Sequence, residues 1–122
     1  MPDPGLFILY VDSPAASAAF YADLLGRPAV EASPTFAMFE LKPGVMLGLW
    51  SRHTVEPAAA AAGGGAEIAF PVSDADAVTA LHGEWSARGI PIAQLPTAMD
   101  FGFTFVAADP DGHRLRVFAP GA

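Results

Sequence analysis

The chain contains no cysteine, and that absence removes disulfides, thiolate metal sites and cysteine nucleophiles together. Basic side chains are nearly as scarce. Lys42 is the single lysine, the five arginines are scattered, and 13 acidic residues against 6 basic ones set the formal net charge at -7. Nucleic acid is therefore not expected as a partner, because displacing phosphate counterions needs clustered Lys and Arg. The same charge disfavours docking on an anionic membrane. Long apolar runs are missing too: Leu6 to Val11 is far too short to span a bilayer. The opening Met1-Pro2-Asp3-Pro4-Gly5 has no basic region, so no secretory leader is expected. These absences together describe a soluble, cytoplasmic protein.

What the sequence does have is apolar content, 52% over 122 residues, enough for one compact core. The expected organisation is one domain over 1–122, with a first module at about 5–55, a linker at about 56–65 and a second module at about 66–119. Leu6 to Val11 reads as a well-buried strand. Asp12-Ser13-Pro14 offers a capping oxygen and then proline at the first helical position, so a helix is expected over Pro14 to Leu25, closed by Gly26. Its inward stripe reads as Ala16, Phe20 and Leu24. Strands are expected at Ala29–Ala32, Thr35–Leu41 and Val45–Trp50, with Lys42-Pro43-Gly44 as the turn between the last two.

Glu56-Pro57 and the alanine and glycine tract from Ala58 to Gly65 are too poor in large side chains to pack a core. After that linker the order repeats. Ala66–Val72 reads as a strand and Ser73-Asp74 as a cap; Val78, Leu81 and Trp85 then keep helical spacing up to Gly89. Strands follow at Ile90–Gln94, Gly102–Ala107 and Arg114–Phe118, with Asp109-Pro110-Asp111-Gly112 as a turn. Such a repeat of pattern also fits a ferredoxin-like domain.

Three local strings favour one family over that alternative. Ser17-Ala18-Ala19-Phe20-Tyr21 with Leu24-Leu25-Gly26 resembles the first-helix signature of the vicinal oxygen chelate superfamily, the glyoxalase, bleomycin-resistance and dioxygenase proteins. Phe105-Val106 followed by Asp109-Pro110-Asp111-Gly112-His113 looks like its penultimate hairpin, and Ile68-Ala69-Phe70 with Val72 and Asp74 like the start of its second module. The resemblance covers nearly the whole chain. It implies an α+β fold of two βαβββ modules forming a curved mixed sheet around a cleft, and a homodimer. Leu9-Tyr10-Val11, Ser33-Pro34-Thr35-Phe36, Leu47-Gly48-Leu49-Trp50-Ser51-Arg52 and Met99-Asp100-Phe101-Gly102 look most like members tied to phenazine-antibiotic resistance or drug binding.

Metal-dependent members hold a divalent ion with four His or Glu side chains. Matching the motifs puts Gly5, Gly48, Glu67 and Arg116 at those positions. Only Glu67 could ligate: glycine has no donor, and a guanidinium is cationic with no available lone pair. No cofactor is therefore expected. Glu67 and Arg116 either form a charge-assisted pair where the metal would sit or point outward at their strand ends. His53, His82 and His113 read as solvent-facing, and Trp85 as a helix-packing residue.

A cleft without metal would be lined by apolar and aromatic side chains with a few polar groups. Phe36, Met38, Met46 and Trp50 supply such a surface in the first module, with Arg52 at its end. Phe101, Phe103 and Phe105 share one parity in the second, where Asp100 is a polar contact or a loop cap. The expected function is a binding protein that sequesters a planar aromatic compound, such as a phenazine antibiotic, without metal-dependent chemistry. The alternatives are a lyase, isomerase or dioxygenase of the same superfamily with a displaced metal site, and a structural or regulatory subunit.

Overall fold

Strand β1 (Leu6–Val11) leads to Ser13, whose side-chain oxygen accepts from the Ala16 amide at 3.1 Å and caps helix α1 (Pro14–Leu25). Gly26 closes that helix in the left-handed region, at φ 70°, with its amide bonded to the Ala22 carbonyl at 3.0 Å. Strands β2 (Glu31–Ala32), β3 (Phe36–Lys42) and β4 (Val45–Ser51) follow. The order then repeats as β5 (Glu67–Pro71), α2 (Ala75–Ala87), β6 (Ile92–Met99), β7 (Gly102–Ala108) and β8 (Arg114–Pro120). Asp74 caps α2 by accepting from the Ala77 amide at 2.8 Å.

The computed structural model describes residues 1–121, which divide after Ala62 into two compact units. Each unit carries a four-stranded mixed sheet, ordered β1-β4-β3-β2 in the first and β5-β8-β7-β6 in the second. The first strand of each unit runs parallel to the last, and the other pairs are antiparallel. The strands and helices are thus those of two βαβββ modules of the α+β class, with the strands in two separate sheets.

In the first unit Ala37, Phe39, Leu47 and Leu49 are buried beside Val11 on the face that α1 covers. The buried positions of α1 are Pro14, Ser17 and Tyr21, not the expected stripe through Ala16, Phe20 and Leu24. The reason is steric fit: small Ser17 lets the helix lie close, and the Tyr21 ring reaches Phe39 at 6.5 Å between centroids. β1 also departs from expectation. It is the edge strand of its sheet, and Leu6, Phe7, Ile8 and Tyr10 remain 40–54% exposed.

The second unit is packed around Trp85, which is 5% exposed and meets Phe70 and Phe105 edge-on at 5.9 and 5.4 Å. His82 joins them, its ring 5.4 Å from Phe105, so this histidine packs against the sheet instead of facing solvent. β6 runs on to Met99, well past the expected Gln94. Pro96 is tolerated because β6 is an edge strand whose pairing with β7 is interrupted between Gln94 and Thr97, where a missing N–H costs no ladder bond. No helix of the described residues is long and apolar enough to cross a membrane.

Gly102 opens β7 at φ 147°, a backbone conformation that side chains resist, and a Cβ there would run into the Ala119 carbonyl oxygen of β8. Gly102→Ala is expected to destabilise the protein by roughly 2 kcal/mol or more. Chemical denaturation checks this, and an unchanged midpoint would contradict the close approach.

Candidate functional site

Alternation along β8 sends Leu115, Val117 and Ala119 into the core beneath α2 and leaves Arg114, Arg116 and Phe118 on the opposite face. On β7 the same alternation sends Phe105 toward α2 and Thr104 and Val106 toward the arginines. Arg116 is the centre of this face. Its Nε and Nη2 donate to the two carboxylate oxygens of Glu67 at 2.8 and 2.9 Å, a bidentate fork between adjacent parallel strands. Its Nη1 donates to Gln94 Oε1 at 3.3 Å and to Thr104 Oγ1 at 3.2 Å, and the fully buried Thr104 hydroxyl in turn donates a hydrogen bond to the Val117 carbonyl at 2.8 Å.

Aromatic rings complete the arrangement. The Arg116 guanidinium lies 5.8 Å from the centroid of Phe101, and Phe101 meets Phe118 edge-on at 6.1 Å. The hydrogen bond from Arg116 holds the Glu67 carboxyl below its ordinary value, against the opposing effect of burial, and the same bond raises Arg116. Both groups are therefore charged at neutral pH, in a setting where Arg116 is only 19% exposed and solvent screening is reduced.

In the first unit, Phe36 and Met38 on β3 and Met46 and Trp50 on β4 are half-buried on the sheet face away from α1. Phe36 stands opposite Trp50 in register and meets its ring edge-on at 6.2 Å. Arg52 does not join them: it follows β4 and donates to Asp12 Oδ1 at 3.3 Å, beside His53 Nε2 at 2.7 Å from the same oxygen. His53 is exposed, as expected, and is also engaged with a carboxylate. Its hydrogen bond, and then that of Arg52, lowers the Asp12 carboxyl from its usual range. Arg52 and His53 line a 430 Å³ recess with Ala59–Ala62.

The family model of the glyoxalase/bleomycin resistance protein/dioxygenase superfamily matches residues 5–117, nearly the whole of both βαβββ units. The chain belongs to that superfamily. It is 28% identical over 117 residues to the phenazine antibiotic resistance protein EhpR of Enterobacter agglomerans, a match covering 93% of this chain and 89% of that protein. A protein of Agrobacterium tumefaciens with a solution NMR structure is 52% identical across the whole of both chains, with a TM-score of 0.87. A glyoxalase/bleomycin resistance protein/dioxygenase from Nocardioides is 26% identical over 98% of this chain and 84% of that one, with a TM-score of 0.81.

The metal that many members of the superfamily use does not fit the residues at its four positions. Both Glu67 oxygens are taken by Arg116, which brings a positive charge to a place where a metal ion would sit. At Gly48 a Cβ would come within 2.9 Å of the tip of the Phe36 ring, so a donor side chain there would require that ring to move off the strand. At Gly5 a Cβ would meet the Gly44 carbonyl oxygen at 2.9 Å. Among the described residues no group of three or more His, Asp or Glu converges elsewhere.

Of the aromatics expected to share a face in the second unit, Phe101 alone stands beside Arg116. Phe103 and Phe105 keep the parity of Ala119 and Val117 on the α2 side, because the φ of 147° at Gly102 breaks the alternation after Phe101. Asp100 stands exposed in the β6–β7 turn. Gln94, Thr104, Phe118 and Arg114 were missed by reading aromatic stripes. The signal was present in Arg114-Leu115-Arg116-Val117-Phe118, whose alternation puts two cations and a ring on one side of β8.

Because the folded state lowers the Glu67 pKa, the unfolded chain takes up its proton first as pH falls. The stabilisation from the fork is fully present above the ordinary carboxyl value of 4.5 and is lost as pH falls below it through the folded-state value. Glu67→Gln is expected to lower stability at neutral pH by roughly 1–2 kcal/mol, with the gap from wild type closing in acid. Urea midpoints at several pH values test this; a gap independent of pH would contradict it.

Proposed function

We propose that this chain binds and sequesters a small planar aromatic compound of the phenazine kind, in the cytoplasm and without metal-dependent chemistry. The observation that carries the reading is the Arg116–Glu67 fork: a neutralising ion pair, flanked by Phe101 and Phe118, stands where the metal enzymes of the superfamily need donor side chains. Flat heteroaromatic rings gain from offset and edge-on contact with aromatic faces, and from a guanidinium above a ring. The half-buried face of Phe36, Met38, Met46 and Trp50 in the first unit has the same chemistry, with methionine adapting to irregular outlines. The likeness to a phenazine antibiotic resistance protein over 93% of the chain points the same way.

Titration with phenazine is expected to quench tryptophan fluorescence. Trp50 stands on the half-buried face of the first unit and Trp85 is 5% exposed inside the second, so quenching lost in Trp50→Phe assigns the bound ring to the first unit's face and quenching retained in it assigns the ring to the second unit. Unchanged fluorescence and an unchanged melting temperature across a panel of phenazines and quinones would overturn the proposal.

A homodimer belongs to the same reading. An edge strand with apolar residues on both faces is a template for association. Leu6, Phe7, Ile8 and Tyr10 of β1 have that character, Phe7 being 54% exposed. Light scattering is expected to report a dimer for the wild type and a monomer for Phe7→Lys; a monomeric wild type would refute the assembly.

A further inference from the structure

We propose that the compound bound by this chain carries an anionic group, a carboxylate or its equivalent, which Arg114 receives in the recess on the β6, β7 and β8 face; this rests on the reading of the chain as a binder of planar aromatic compounds. The recess has a volume of 280 Å³ and is lined by Ala93, Gln94, Val106, Arg114 and Arg116. Two guanidinium groups therefore face it, with one carboxylate, Glu67, beside them. The strand register sets Glu67 opposite Arg114, yet both of its oxygens are bonded to Arg116, two residues further along β8. The Arg114 guanidinium acts on Glu67 through its charge, while the hydrogen bonds of that carboxylate go to Arg116.

The result is a local surplus of one positive charge in a chain whose net charge is -7. Water alone answers that surplus at the exposed Arg114, whereas a carboxylate matches the two parallel donors of a guanidinium fork. Gln94 extends the polar side of the recess. Its Oε1 is committed to Arg116, while its amide nitrogen rests on the Met99 sulfur at 3.5 Å, a weak acceptor that an anionic oxygen would replace at a gain. Ala93 and Val106 supply the apolar remainder, with Val106 itself 2% exposed and rigidly held in β7 between Arg116 and Gln94. The charged end of a ligand would lie on Arg114 and Gln94, and its ring system would run toward the Arg116 and Phe101 side of the same sheet face.

The test compares naphthalene-2-carboxylate with the isosteric naphthalene-2-carboxamide by NMR titration of the full ¹⁵N-labelled chain. The carboxylate is expected to bind about two- to fivefold tighter, the range of one ion pair at an exposed cation. Its shifts should centre on Ala93, Gln94, Val106, Arg114 and Arg116. Raising NaCl from about 50 mM to about 500 mM should weaken the carboxylate alone. Arg114→Gln should abolish the preference, while Arg88→Gln, which removes an equal charge from the end of α2, should keep it. Equal affinity for the two compounds, a preference that survives Arg114→Gln, shifts centred elsewhere, or binding of neither would each overturn the inference. Phenazine itself separates this from the wider reading. Quenching by phenazine without a carboxylate preference defeats the anion site alone; a carboxylate preference without phenazine binding leaves the anion site standing and defeats the phenazine assignment.

Discussion

Arg116 and Glu67 stand on neighbouring parallel strands, and the polar chemistry of the second unit is arranged around satisfying their charges. A guanidinium carries five hydrogen-bond donors on one planar group, and four bonds are made here, to the two Glu67 oxygens, the Gln94 amide oxygen and the Thr104 hydroxyl. Thr104 can accept from Arg116 because its own proton goes to a backbone carbonyl in the same sheet. Three strands besides β8 are thereby tied to one side chain. An ion pair of this kind adds less to stability than its Coulomb energy suggests, because desolvation offsets much of it. Its larger effect is geometric: it fixes where a positive group and two aromatic rings stand relative to each other.

The chain has the superfamily scaffold, and the residues standing at the positions matched to metal ligands fit one another instead of a metal ion. At Gly48 the missing side chain leaves space that the Phe36 ring takes up, and Phe36 in turn meets Trp50. At Arg116 a cation replaces a donor and neutralises the remaining carboxylate. One position thus carries aromatic cover and the other a cation paired with a carboxylate, which is why fold membership here describes the architecture and the chemistry must be argued from the side chains.

Much of the fold was legible in sequence because local rules governed it. Ser13-Pro14 and Gly26 bound the first helix where capping chemistry places them, Asp74 does the same for the second, and the helical spacing of Val78 and Trp85 matches their burial. The misreadings came where non-local packing decided. Phe20 and Leu24 have the right hydrophobicity for the buried stripe, but Ser17 and Tyr21 take it because the fit of the helix against Phe39 needs a small residue and a long ring. β1 looks like a buried strand by composition, yet its place at a sheet edge leaves it exposed.

The sequence alone determined the element order, the two helix boundaries and the residue types at the four metal positions, since capping, alternation and donor chemistry act within a few residues. Tertiary structure decided which of those residues meet. Glu67 and Arg116 are 49 positions apart, and nothing local distinguishes a fork between them from two side chains pointing outward. Parallel pairing of β5 with β8 brought them together, and the positive φ of Gly102 put Phe101 beside them while turning Phe103 away. That same register set Glu67 across from Arg114 and let it bond to Arg116, a choice made by side-chain reach across the sheet.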